Sequence, residues 1–107
     1  MQARGLYSRV TNHIQDAQVI LSVAPDEDLS VSVEMEHPLE SVEHGEDYLR
    51  AAVFGVLDVL LVEARPSVRH VRVTILDLVV HPTNSSVHAF RMAGRDAARK
   101  VLVEVPR

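Results

Sequence analysis

Residues 29–36, Leu-Ser-Val-Ser-Val-Glu-Met-Glu, alternate apolar and polar side chains without a break. Successive side chains of a strand point to opposite faces, so Leu29, Val31, Val33 and Met35 share one face. Ser30, Ser32, Glu34 and Glu36 share the other. A segment of this kind is a half-buried strand: its sheet has one solvated face and a second layer over the other. Residues 17–23, Ala-Gln-Val-Ile-Leu-Ser-Val, read as another strand. The polar turn between them, residues 24–28 with Pro25, predicts that the two form a hairpin. A further strand is expected over residues 68–77, with Val71, Val73 and Ile75 facing inward.

Helical periods separate these strands. Residues 46–65 carry an apolar stripe of Leu49, Ala52, Val53, Val56, Val59 and Leu60, and Pro66 ends the helix. The opposite face holds Asp47, Arg50 and Asp58, but also Phe54 and Leu61. Two readings of that pair stand side by side: a contact with another chain, or a helix buried on two sides. The second helix runs from about residue 85 to about 102, with Val87, Phe90, Ala93, Gly94, Ala97 and Val101 as its buried positions. Residues 101–107 are expected to close the chain as a short strand. The beginning is open: Leu6, Val10 and Ile14 have helical spacing, whereas residues 4–7 suit the entry to a strand. The order strand, strand, helix, strand, helix, with one further strand at the start, defines an α+β fold. It is a two-layer sandwich, a three- to four-stranded sheet covered on one face by two helices.

The 107 residues form a single domain, residues 1–107, with 47% hydrophobic and only 4% aromatic residues, so the core is Val, Leu, Ile and Ala. The formal net charge of −4 sets the chain apart from a typical nucleic-acid clamp. With no cysteine there is no disulfide, thiolate metal site or cysteine nucleophile. Neither a signal peptide nor a bilayer-spanning run is recognisable, so the expectation is a cytoplasmic protein without membrane contact.

Chemistry-bearing residues gather at residues 76–94. Asp77, His81, Ser85, Ser86 and His88 contain the types of a nucleophile–base–orienter set. The spacing argues against a hydrolase using His81, Asp77 and Ser85, because no GxSxG elbow surrounds either serine. Asn84, Ser85 and Ser86 instead stand where helix N-capping needs them. The six histidines form no HExxH pair, and the stretch around His37 and His44 reads as a solvated acidic connector. Phosphate-binding glycine motifs are absent, so no cofactor is expected. Arg91, Arg95 and Arg99 recur every four residues with His88 on the same side, which stacks them into one ridge. Two readings apply to it. One is a phosphate-contacting surface, which suits arginine's planar fork; the other is a solvated face partly neutralised by Asp96.

Residues 72–99 resemble the fourth domain of bacterial translation elongation factor G. In that family a strand ending in Asp leads through a His-containing loop to Asp-Ser-Ser and a helix reading Ala-Phe-Lys, then Ala-Gly or Ala-Ala. The matching positions are Asp77, His81, Asn84-Ser85-Ser86, Ala89-Phe90-Arg91 and Ala93-Gly94. Tyr48, Leu49, Ala51, Gly55 and Val56 match an upstream helix, and Arg4-Gly5-Leu6-Tyr7 echo an Arg-Gly-Gln-Tyr. Leu78, Pro82, Asn84 and Val87 depart from the family's residues. The resemblance implies a left-handed βαβ crossover. It also implies a tip loop, residues 79–84, that reaches the decoding region of the small ribosomal subunit, and no bond-making or bond-breaking. GTP hydrolysis belongs to a separate domain, so a GTPase-containing partner chain is one expectation. The preferred expectation is a non-catalytic module that contacts the ribosome or RNA through His81, Asn84, Ser85, His88, Arg91, Arg95 and Arg99. The alternative is a homo-oligomeric or protein-interaction module working through Phe54 and Leu61.

Overall fold

The computed structural model describes residues 2–10, 14–35, 39, 42–80 and 85–104. Strands β1 (Gln2–Val10) and β2 (Ile14–Pro25) pair antiparallel as a hairpin, so the chain begins as a strand. Strand β3 (Ser30–Val33) follows, then helix α1 (Gly45–Leu57), which continues as a π-helical stretch, Asp58–Glu63. Strand β4 (Val71–Val79) and helix α2 (Val87–Glu104) complete the order. The sheet order is β1-β2-β4-β3, and two helices cover one face, which makes a two-layer α+β sandwich.

The hairpin expected between residues 17–23 and 29–36 does not form. Strand β4 lies between them, antiparallel to β2 and parallel to β3. Alternation specifies which face of a strand is buried and leaves its neighbours unspecified. Both edges of β2 are taken, by β1 and by β4, so the turn after Pro25 carries the chain past β4. The Asp26 N–H donates to the His70 carbonyl at 3.1 Å at that crossing. β3 then reaches β4 through α1, as a βαβ unit joining adjacent parallel strands.

Side chains alternate as the pattern requires. Ala17, Val19, Leu21 and Val23 of β2, with Val71, Val73 and Ile75 of β4, are buried beneath the helices. On the other face the Ser32 and Thr74 hydroxyls meet at 3.1 Å. The register shifts between Ile20 and Leu21, whose partners are Asp77 and Ile75, leaving Leu76 as an inserted residue. That bulge resets the alternation, which is why Leu78 is buried as well.

The helices touch through small residues. A Cβ on Gly55 would stand 2.1 Å from the Arg91 carbonyl oxygen, and one on Gly94 would stand 2.3 Å from that of Ala52. A Cβ on Gly5 would lie 1.9 Å from the Ala93 carbonyl oxygen, so α2 rests directly on β1. Phe90 is the largest fully buried side chain, its ring 4.9 Å from that of Tyr48. Burying such a side chain contributes roughly 1.5–3 kcal/mol. Two sequence expectations are corrected here. Residues 101–104 continue α2, with Val101 and Leu102 buried, so they are no strand; residues 105–107 lie outside the described part. Val87, placed in the first turn beyond the edge of the core, is 51% exposed.

Strand β1 is an edge of the sheet, and α2 satisfies part of it. The Leu6 N–H donates to Asp96 Oδ2 at 2.9 Å, and Lys100 Nζ donates to the Arg4 carbonyl at 2.8 Å. Asp96 and Lys100 pair with each other at 3.1 Å, one turn apart on the helix.

Candidate binding surface

The end of β4, the start of β2 and the start of α2 meet at one end of the molecule, because Gln18 of β2 pairs with Val79 of β4. His81 and Asn84 fall in residues 81–84, outside the described part. The two stems of that loop are described. On one side, Asp77 Oδ1 accepts the Leu78 N–H at 3.0 Å. On the other, Ser85 donates its hydroxyl to the Asp16 carbonyl at 2.9 Å, and the Ser85 carbonyl accepts from the Tyr48 hydroxyl at 3.5 Å. Ser86 is the N-cap of α2. Its hydroxyl accepts the Ala89 N–H at 3.0 Å, and its carbonyl accepts the Phe90 N–H at 3.1 Å. The serine run therefore caps a helix, as its position predicted, and also ties the loop to β2 and α1. His88 is exposed on the first turn of α2, with the Tyr7 ring edge-on at 5.7 Å.

The arginine ridge exists, and its charges are engaged. Arg91 donates two hydrogen bonds to Asp58, at 2.9 and 3.0 Å, and Arg95 Nε adds a third at 3.0 Å. Arg99 grips Glu63 through two bonds, one of them 3.0 Å. Three guanidiniums thus meet two carboxylates across the α1–α2 pair. Asp96, expected to neutralise part of the ridge, pairs with Lys100 and accepts from β1, and its charge adds to the hold on Arg99. The hydrogen bonds from Arg91, against an opposing desolvation, hold the Asp58 carboxyl below its ordinary value. Arg99 does the same to Glu63, and the guanidiniums of Arg91 and Arg99 are held above theirs by the same partners.

The π-helical stretch explains why Glu63 was not recognised as a partner. In an α-helix residues five apart diverge by about 140°. The wider winding, in which the Ala64 N–H donates to the Val59 carbonyl at 2.8 Å, brings Asp58 and Glu63 to the same side. Phe54 is 48% exposed and Val62 68% exposed on the outer surface. Leu61 is half-buried, its carbonyl accepting from the Ser67 hydroxyl at 3.0 Å. Burial on two sides therefore fails for Phe54. Around the acidic connector, His44 lies 3.4 Å from Glu43 and 4.0 Å from Asp47. Among the described residues no three His, Asp or Glu side chains converge as metal ligands, and no helix is long and apolar enough to cross a membrane.

This architecture defines the class: an α+β sandwich domain with a capped loop at one end of its sheet. No protein-family model matches the chain, and no curated protein matches it. Among solved structures, the crystal structure of a Thermus thermophilus protein is similar with a TM-score of 0.82 and 22% identity, over 96% of this chain and 16% of that one. The likeness is one of fold. The chain spans about a sixth of that protein's length.

Proposed function

We propose that the chain is a non-catalytic binding module of the elongation factor G fourth-domain kind, contacting RNA, and the ribosome in particular, through the loop of residues 81–84 and His88. A left-handed β3–α1–β4 crossover is part of this reading. The observation that carries it is the anchored stem after the loop: Ser85 is bound to Asp16 and Ser86 caps α2, at the end of the sheet where β4 also ends. The run from Asp77 to Gly94 that resembles the factor is the run that contains that stem. A fold likeness to one part of a much longer protein supports the reading too. The arginine ridge takes a smaller share than its spacing promised, since phosphates must compete there with Asp58 and Glu63.

The test is co-sedimentation of the purified chain with ribosomes and separated subunits at low and moderate salt. The expected outcome is pelleting with the small subunit that weakens with salt and is lost in His81→Ala. The second reading, a protein-interaction module, is favoured by the exposure of Phe54 and Val62 and by the neutralised ridge. A chain that stays in the supernatant at both salts moves the conclusion to it.

A further inference from the structure

The two edges of the sheet are treated differently. At β1, α2 supplies a carboxylate and an ammonium to the outward backbone groups. At β3, none of the hydrogen bonds from the described residues outside the sheet reaches the outer side of the strand. The Glu34 N–H donates to the Ile75 carbonyl at 3.0 Å, so the even-numbered residues of this strand face β4. By alternation, the N–H and C=O groups of Val31 and Val33 point away from the sheet. The strand is short, but several usual protections of an edge are missing from it: residues 29–35 contain no lysine and no proline, their pairing shows no bulge, and it continues through Glu34. Val33 shares the covered face of the sheet and is still 46% exposed, because the helical layer stops short of it.

Charge selects the occupant. Asp26 is paired with Arg72 at 3.2 Å, which leaves Glu27 and Asp28 exposed at the start of β3 and Glu34 exposed at its end. Glu34 continues the parity of Ser30 and Ser32 on the open face, and Asp28 stands exposed in the bend just before β3, so the strand has an exposed carboxylate at each end. A second copy pairing antiparallel on this edge would bring like charges together at both ends. An RNA backbone would meet the same repulsion. A polypeptide with basic residues six positions apart would meet complementary charge at both. We propose that the free edge of β3 is a docking site for an extended, basic segment of a partner protein, added to the sheet as a fifth, antiparallel strand. Main-chain hydrogen bonds to Val31 and Val33 hold it, and Asp28 and Glu34 set its register. This proposal does not depend on the loop at residues 81–84, and it adds a partner class to the RNA-binding reading.

The probe is the blocked heptapeptide Lys-Val-Thr-Val-Thr-Val-Lys, followed by backbone amide shifts in isotope-labelled protein at low salt. Expected are shifts concentrated on residues 29–35, at least tenfold weaker binding of the same peptide with glutamates in place of its lysines, and similar weakening in Asp28→Lys/Glu34→Lys. Val31→Pro removes an N–H that serves no ladder bond, so it should abolish binding, at the cost of a lower unfolding midpoint because Val31 also packs against the core. If that variant fails to fold, the peptide N-methylated at its valines makes the same cut from the other side, and it should not bind. Absence of binding by the basic peptide overturns the proposal. So does equal binding of the acidic or N-methylated peptide, or shifts centred elsewhere than β3.

Discussion

Gly94 would ordinarily be a weak point of α2, since glycine inside a helix is about 1 kcal/mol worse than alanine. Here a methyl group would collide with the Ala52 carbonyl of α1, and Gly55 meets the Arg91 carbonyl in the same way. Backbone cannot yield as a flexible side chain can, so overpacking outweighs propensity. Gly55→Ala and Gly94→Ala are each expected to lower stability by roughly 1–3 kcal/mol, read from denaturant midpoints. Stabilisation by either would mean that the helices stand farther apart. Both glycines were visible in the sequence, and Gly94 was assigned to the buried side. Their use was not visible, because a close approach between two helices through glycines 39 residues apart in the chain leaves no periodic mark. The serines are the contrary case. A cap is a local device, so Ser86 could be assigned from its neighbours alone, whereas the bond from Ser85 to Asp16 crosses the fold.

At the level of elements, periodicity identified β3, β4, α1 and α2 and the faces they bury, and β2 as a strand. It failed where winding changes and where pairing is non-local. Residues 58–63 continue the apolar spacing of α1 closely enough to read as one helix, and only the π winding turns Glu63 towards Arg99. The Leu76 bulge is likewise hidden, since an apolar residue inserted into an apolar strand leaves the pattern plausible. The resulting clamp has a pH signature. Asp58 is held below its ordinary value in the folded state, so its contribution is complete above the unfolded carboxylate range near pH 4. It is lost as pH falls through the lower folded value. Asp58→Asn is expected to cost about 1–2 kcal/mol at pH 7 and to flatten the acid side of the stability curve. A variant as stable as the parent at pH 7 would show that the clamp contributes nothing net. High salt should reduce the loss.

For the whole molecule, class and layer order were readable from the alternation of strand and helix, while the strand order was not. Interior faces follow from composition along each segment; neighbours follow from how all segments fit at once. The net charge of −4 also has its distribution only in three dimensions. The positive ridge is tied down by Asp58 and Glu63, and negative groups stay exposed at both ends of β3. The two proposed partners, of opposite character, would accordingly bind at different places: RNA at the loop end, a basic polypeptide at the sheet edge.

The Asp96–Lys100 pair that α2 lays against β1 has a consequence for assembly. Open-ended growth by strand addition requires two accepting edges per molecule, one for each neighbour. With part of the first edge satisfied by its own helix, the proposed extension at β3 would be favoured over growth at β1, so complexes built this way are expected to be finite. Asp96→Ala/Lys100→Ala is expected to open the second edge, with light scattering then reporting concentration-dependent species larger than a dimer. Unchanged scattering would mean that the strand is shielded without them. Two side chains one helical turn apart thus act as a chain terminator for a polymer that the sheet alone would permit.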